Sequence, residues 1–135
     1  MDNQSASSGN LLVSVQGAGG SYPLPGAGIS VKLRTPDGLE VLWAGKSDQS
    51  GQSEVIEVPT PSPEASLTPG SAQRPYSQVI IRAQLDGYYP AEYVDVPVFP
   101  GVESIQNVYL VPRPAYAPDV YYDDAVYYER QGADL

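Results

Sequence analysis

Cysteine and histidine are both absent from this 135-residue sequence, and each absence excludes a class of site. A chain without cysteine has no disulfide framework and no thiolate metal site. A chain without histidine lacks the commonest general base and the commonest ligand of transition metals. The sequence therefore predicts no catalytic residue, no metal site and no cofactor, and hence a protein that is not an enzyme.

Positive charge is also scarce, with 7 Lys and Arg against 16 Asp and Glu and a net charge of -9. Such a surface repels nucleic acid phosphates and anionic lipids, so we expect no nucleic acid partner and no membrane insertion. No apolar run approaches the roughly 18 residues of a membrane span. The opening MDNQSASSGN has neither the basic nor the apolar region of a signal peptide, which leaves the localisation unknown.

Helical patterns are missing as well, and 14 prolines and 13 glycines interrupt the chain. Proline is excluded from helix interiors and central strands, so this composition predicts short strands joined by loops. Apolar and polar residues alternate in ISVKLR at 29–34, as in a half-buried strand. The other predicted strands are 11–16, 39–44, 52–58, 79–85, 91–99 and 104–111.

The last three predicted strands are interpreted as a β-meander, because Asp86-Gly87 and Pro100-Gly101 break the chain between them. Glu57 is expected to face water. Seven short strands and their turns predict an all-β fold, a seven-stranded antiparallel β-sandwich. The residues expected on its inner faces are Ile29, Val31, Leu33, Ile56, Val58, Val79, Ile81, Ala83, Val94, Val96, Val98, Val108 and Leu110.

Composition divides the chain into three parts. Residues 1–9 are Ser-rich and polar, and we expect a flexible, disordered lead-in. Residues 10–114 form the sandwich domain, which is interrupted by a long Pro/Ser connection at 60–74. Residues 115–135 form a tail that is acidic and rich in tyrosine.

Six motifs in the sandwich segment occur in an order known from one family. They are SDQSG at 47–51, RPYS at 74–77, DGYYP at 86–90, VPVFPG at 96–101, SIQ at 104–106 and LVP at 110–112. Over residues 10–114 the sequence resembles the carboxypeptidase regulatory-like, or transthyretin-like, β-sandwich domain. The closer resemblance is to the version in spore-cortex-lytic-enzyme-like, peptidoglycan-binding proteins of spore-forming Firmicutes.

This resemblance implies a seven-stranded sandwich that is not catalytic and that accompanies a peptidoglycan-binding or hydrolase module. It also implies a place in the spore or cell envelope. In this sequence the tyrosine-rich tail, rather than such a module, follows the sandwich. The purine-pathway hydrolase of the transthyretin-like fold needs active-site histidine, which this chain lacks.

The tail repeats DVYYD at 119–123 as AVYYE at 125–129. Because Val-Tyr-Tyr has high β-propensity, the tail could add a strand to a neighbour's sheet edge. Ordering on a partner, dityrosine cross-linking and a disordered solubilising role are the other interpretations. The candidate partner-binding residues of the tail are Tyr116, Tyr121, Tyr122, Tyr127 and Tyr128.

Tyr88 and Tyr89, with Tyr93 and Trp43, form a second candidate, an aromatic platform for a sugar or a peptide. The alternative is packing, since neighbouring residues of a strand point to opposite faces. An aromatic rim that also included Tyr22 would favour glycan binding.

Two further site hypotheses have weaker patterns. Lys32 and Asn107 could form an isopeptide cross-link beside Glu40 or Glu57, or Lys32 could simply be solvated. Four tail carboxylates could gather Ca²⁺, although their spacing departs from that of an EF-hand and a solvated acidic tail is the favoured interpretation. These carboxylates are Asp119, Asp123, Asp124 and Glu129.

The sequence thus predicts a non-catalytic structural or interaction module of the spore or cell envelope. Its partner would be a protein, bound through loops and the C-terminal tail. The alternative is a peptidoglycan- or glycan-binding accessory module that targets a cell-wall hydrolase, with a cell-wall component as its partner.

Overall fold

A computed structural model describes residues 7–62, 76–114 and 126–128, and these residues are almost entirely in strands and turns. A short 3-10 turn, Ala18–Gly20, follows the first strand. Within this described part there is no helix with the length and apolar character to cross a membrane. The strands are β1 Ser7–Gly17, β2 Tyr22–Pro23, β3 Gly28–Thr35, β4 Gly38–Lys46, β5 Ile56–Thr60, β6 Ser77–Gln84, β7 Ala91–Val98, β8 Glu103–Leu110 and β9 Val126–Tyr128.

The strands form two sheets that pack face to face, which confirms the predicted β-sandwich. In the first sheet β1 is central, with β2 and β5 along one edge and β8 along the other. The second sheet has the order β4-β3-β6-β7-β9. Apolar side chains from the inner faces of both sheets fill the space between them. The predicted inner residues of β3, β5, β6 and β8 all contribute to this core, and Glu57 is exposed as expected.

β1 is a deeply buried strand, in which Leu11, Val13 and Val15 are each 0% exposed. Its backbone is paired along both edges. β8 lies along one edge, and on the other β5 pairs with the first half while β2 pairs with the last two residues. The gap between β5 and β2 is closed by the turn at 47–53, which we call the 47–53 turn.

The 47–53 turn pairs with β1 where a neighbouring strand would otherwise lie. The Val15 amide donates to the Gly51 carbonyl at 2.7 Å, and the Ser53 amide donates to the Val13 carbonyl at 2.8 Å. The Asp48 carboxylate holds the turn by accepting from the amides of Ser50 and Gln52, at 2.8 and 2.9 Å. These bonds satisfy the polar groups of a buried strand that would otherwise be costly to bury.

The predicted β-meander is wrong in its last step. β6 and β7 pair antiparallel as expected, but β8 crosses to the first sheet and pairs in parallel with β1 from Asn10↔Glu103 to Gly17↔Leu110. The sandwich is therefore not fully antiparallel. The crossing buries Val108 and Leu110 against the core from the opposite side, and it leaves the outer edge of β7 without β8 as a neighbour.

Val94 is the one predicted inner residue of β7 that does not belong to the core cluster. β7 contains a bulge, because Val79 pairs with Val96 whereas Ile81 pairs with Tyr93, so Val94 and Asp95 both oppose Ile80. Asp95 has a φ of 58°, a left-handed conformation that aspartate tolerates better than most residues. The extra residue shifts the alternation, so that Ala91 and Tyr93 face inward before the bulge and Val96 and Val98 after it.

Several strand boundaries in the structure also differ from the predicted ones. β1 begins at Ser7 and pairs Ser7 with Thr60, so ordered structure starts before the predicted end of the lead-in at residue 9. β5 begins at Ile56 rather than at Gln52, because residues 51–53 belong to the turn that covers β1. The two-residue β2 and the tail strand β9 were not among the predicted strands. Most of the 60–74 connection lies outside the described residues.

Replacing Gly51 with alanine should destabilise the fold by roughly 3 kcal/mol. Gly51 has a φ of 79°, and a Cβ there would lie 2.6 Å from the Val15 carbonyl oxygen, in the hydrogen bonding that covers β1. Urea unfolding followed by Trp43 fluorescence measures the loss.

Gly101→Ala is the matched control, because Gly101 has a φ of 73° but no atom within 4 Å of an added Cβ. We expect Gly101→Ala to lower the free energy of unfolding by about 1–2 kcal/mol, which is the cost of placing alanine in a left-handed conformation. Equal losses in the two variants would contradict the role given to the 47–53 turn.

Candidate functional site

An open cleft of about 730 Å³ lies at the end of the second sheet. It is formed where β3 begins, β4 ends, β6 turns into β7 and the chain leaves β8. We call it the tyrosine cleft. The residues that line it are Gly26, Gly28, Lys46, Gln84, Leu85, Asp86, Gly87, Tyr88, Pro90 and Arg113.

Backbone hydrogen bonds fix the β6–β7 turn that carries Tyr88 and Tyr89. The Tyr88 amide donates to the Leu85 carbonyl at 3.0 Å, closing a turn in which Gly87 has a φ of 89°. The Tyr89 amide donates to the Val111 carbonyl at 2.9 Å, and the Arg113 amide donates to the Gly87 carbonyl at 2.9 Å. The segment after β8 is thereby tied to this turn, and the cleft wall is built from backbone as well as side chains.

Tyr22 and Tyr88 meet at the rim of the cleft, with their hydroxyl oxygens 3.5 Å apart. β2 presents Tyr22, whose ring lies so close to Gly17 that a Cβ there would be 2.7 Å from it. The hydrogen bond with Tyr22, desolvation and the charge that Tyr22 would acquire raise the pKa of Tyr88 above its ordinary value. The Tyr88 hydroxyl therefore remains a neutral donor and acceptor at physiological pH.

The cleft carries an excess of positive charge within a protein of net charge -9. Lys46 and Arg113 line it with a single carboxylate, that of Asp86. The Arg113 guanidinium lies 5.8 Å from the centroid of the Tyr89 ring, within the range of a cation–π contact. This combination of cations, tyrosine hydroxyls and an aromatic ring suits a ligand that carries both hydroxyl and carboxylate groups.

The other two residues of the predicted aromatic platform do not join Tyr88 and Tyr89. The Tyr93 side chain packs against the core, and its hydroxyl accepts a hydrogen bond from the Tyr109 amide at 3.1 Å. Trp43 also packs against the core, with its ring over Gly45. For Tyr93 and Trp43 the packing interpretation describes the geometry.

A second candidate site is the outer edge of β7. β9 pairs with this edge in parallel, in the register Ala91↔Val126, Glu92↔Tyr127 and Tyr93↔Tyr128. The pairing stops at Tyr93, immediately before the bulge at Val94 and Asp95. We call the stretch from Ala91 to Tyr93 the β7 slot. The tail segment thus adds a strand to the sheet of its own chain.

The remaining candidates divide into those that the structure separates and those it does not describe. Lys32 and Asn107 lie on opposite sheets, and their neighbours Val31 and Val108 point into the core, so the two side chains lie on opposite outer faces. Their cross-link is not supported by this geometry. The tail residues Tyr116, Tyr121, Tyr122, Asp119, Asp123, Asp124 and Glu129 lie outside the described residues.

No family model matches the chain, and no curated protein sequence matches it. Solved structures do resemble it. The shaft pilin SpaA of Lactobacillus rhamnosus GG is 15% identical over 79% of this chain and 51% of the pilin, with a TM-score of 0.54. The minor pilin of Streptococcus agalactiae is 13% identical over 84% of this chain and 48% of the pilin, with a TM-score of 0.53.

The structure of an enzyme is as similar to this chain as the structures of the pilins are. The 3-chlorocatechol 1,2-dioxygenase of Rhodococcus opacus 1CP is 13% identical over 84% of this chain and 62% of the enzyme, with a TM-score of 0.53. The chain has the transthyretin-like β-sandwich fold. It spans about half to three fifths of the length of these structures, and at such low identity the likeness concerns the fold alone. Because enzymes and pilins share the fold, the fold does not decide between catalytic and structural roles.

Sequence reasoning did not single out Lys46 and Arg113 as residues of the cleft. Lys46 ends β4 whereas Arg113 follows β8, and the two are 67 positions apart in the chain, 113 minus 46, so no local spacing links them. It also did not show that the tail would pair with β7. The Val-Tyr-Tyr repeat indicated a strand but not the strand with which it pairs. The outer edge of β7 is open to β9 because β8 lies in the other sheet.

Replacing Tyr22 with phenylalanine should lower the pKa of Tyr88, because the hydrogen bond that favours the protonated hydroxyl is lost. Because its pKa is raised in the folded state, Tyr88 stabilises the folded protein at pH values below the ordinary tyrosine pKa. This stabilisation is lost as the pH rises through the pKa that Tyr88 has in the folded state. A pH titration of the ¹³Cζ signal, assigned with Tyr88→Phe, measures the shift.

Tyr76→Phe is the control, since the Tyr76 ring contacts Phe99 at a centroid distance of 5.0 Å and belongs to another part of the molecule. An unchanged Tyr88 titration in Tyr22→Phe would show that the two hydroxyls do not interact.

Proposed function

We propose that this chain is a non-catalytic interaction module of the spore or cell envelope, which binds a protein partner through its sheet edge and C-terminal tail. The observation that carries the proposal is the pairing of β9 with the β7 slot. The motif resemblance to envelope-associated sandwich domains supports the location, and the absence of cysteine and histidine supports a role without catalysis.

Strand addition is a general mode of peptide recognition. An edge strand presents unpaired amide and carbonyl groups, and an extended segment that pairs with them gains main-chain hydrogen bonds. The tail contains two Val-Tyr-Tyr units, at 120–122 and 126–128, and the second occupies the β7 slot. The same two components, a slot and a matching segment, are what recognition of a partner by strand addition requires.

The bulge in β7 gives the slot a defined length. Two residues, Val94 and Asp95, oppose one on β6, and such a bulge disrupts the ladder and increases the local twist. Asp95 also forms an ion pair with Arg34 at 3.1 Å. An added strand is therefore matched to three residues of β7, which favours short segments over long ones and limits aggregation through this edge.

A synthetic peptide of residues 124–130 should bind the β7 slot when both Val-Tyr-Tyr units of the chain are replaced. The acceptor is the full chain with proline at 120, 121, 126 and 127, because adjacent strand residues direct their N–H groups to opposite edges and one proline of each pair removes a bond. We expect the amide signals of Ala91, Glu92 and Tyr93 to shift in NMR titrations with the peptide.

The matched control is the same peptide with proline in place of Val126 and Tyr127, which should cause no shift. Equal shifts with both peptides, or shifts confined to residues outside the β7 slot, would contradict recognition by strand addition.

A second candidate function is binding of peptidoglycan or another glycan as an accessory module that targets a cell-wall hydrolase. The tyrosine cleft is the specific observation that favours it. The cleft offers the hydroxyl of Tyr88, which meets that of Tyr22 at the rim, beside the cations Lys46 and Arg113. Peptidoglycan fragments carry hydroxyl groups on their sugars and carboxylates on their peptides, which are the groups that these side chains would bind.

Lys46→Gln and Arg113→Gln should each weaken binding of soluble peptidoglycan fragments by roughly three- to tenfold, because each removes one partly solvated charge-assisted contact. Lys32→Gln removes the same charge from the outer face of β3 and is the control. Isothermal titration calorimetry measures the affinities. If the three variants lose affinity equally, or if the unaltered chain does not bind, the cleft is not a glycan site.

A further inference from the structure

We propose that a second copy of this chain is a partner of the β7 slot, with β9 of each copy paired to β7 of the other in a strand-exchanged dimer. The inference rests on the proposed recognition by strand addition and names the partner. It depends on three features, which are the identity of the segment, the length of its connection and the small size of the contact that must be broken.

The first feature is that the segment already fits. Any β9 that reaches the β7 slot of another copy has the sequence that the slot accepts, and it can adopt the same register, Glu92 with Tyr127. An exchanged strand makes the same main-chain hydrogen bonds as the original one. Reciprocal exchange is isologous, so it closes as a symmetric dimer and does not continue as a fibre.

The second feature is the connection between the sandwich and β9. Pro112 forms a bridge with Tyr88, and Val126 pairs with Ala91, so the two ends of the connection are attached to points only three residues apart. The two attachment points are therefore at most about 20 Å apart, which is the sum of three residues along a strand and two spacings between strands. Residues 113–125 can span on the order of 45 Å when extended, which is enough to reach a neighbouring copy.

The third feature is energetic. Only three residues of β9 are paired, so few hydrogen bonds must be broken before the strand can exchange. The fraction of dimer then depends on how the chain concentration compares with the effective concentration of the tethered strand. A tether of this many residues gives an effective concentration on the order of millimolar. Dimers should therefore become abundant as the chain concentration approaches that value. Because each copy carries a net charge of -9, salt should favour the dimer by screening repulsion.

The absence of cysteine from the sequence permits a direct test by disulfide trapping. Glu92→Cys and Tyr127→Cys are introduced into separate full-length chains, which are then mixed at about millimolar concentration, the range in which exchange competes with tethering. The two residues are register partners, and adjacent strands lie within the distance that a disulfide can bridge. Mild oxidation and a non-reducing gel measure the covalent heterodimer.

The control mixture combines Tyr127→Cys with Asp37→Cys, which places an exposed thiol in the turn between β3 and β4, outside the β7 slot. We expect at least about tenfold more heterodimer from the first mixture, because strand pairing holds its thiols together whereas the control thiols meet only by collision.

A chain that carries both Glu92→Cys and Tyr127→Cys separates the two proposals. If this chain forms its internal disulfide at low concentration while the mixture gives no more heterodimer than the control, strand addition holds and exchange between copies is wrong. If neither disulfide forms, β9 does not pair with β7, and the proposed function fails together with the inference.

Discussion

The parallel pairing of β8 with β1 is the constraint on which the rest of the structure depends. It completes the backbone hydrogen bonding of the buried strand β1, whose other edge is shared by β5, the 47–53 turn and β2. An apolar strand at the centre of a sandwich is stable only when its amide and carbonyl groups are paired on both sides. By joining the first sheet, β8 provides that pairing on one side of β1 from Asn10 to Gly17.

The same crossing determines where the candidate sites lie. Since β8 leaves the second sheet, the outer edge of β7 is open to β9, and the bulge at Asp95 limits that opening to the three residues of the β7 slot. The chain that leaves β8 then returns to the β6–β7 turn through Arg113 and Gly87, and this contact forms a wall of the tyrosine cleft. Both sites are therefore consequences of the topology rather than features of any one strand.

Local patterns were sufficient to predict seven of the strands and the pairing of β6 with β7, but not the partner of β8. Alternation in ISVKLR identified the inner face of β3 because Ile29 and Val31 follow each other at the strand period. Val108 and Leu110 alternate in the same way whichever sheet contains them, so the crossing of β8 had no local signal. The positive φ of Asp95 and the resulting displacement of Val94 depend on pairing with β6. Lys46 and Tyr88 meet across the cleft only after the strands have assembled.

The central claim is that the second Val-Tyr-Tyr unit forms a parallel strand against β7, and cross-strand nuclear Overhauser effects measure this most directly. In a uniformly ¹³C,¹⁵N-labelled full-length chain, the account predicts contacts between backbone protons of Glu92 and Tyr127, in the register of a parallel ladder. Random-coil shifts for residues 126–128, with no such contacts to residues 91–93, would contradict the account.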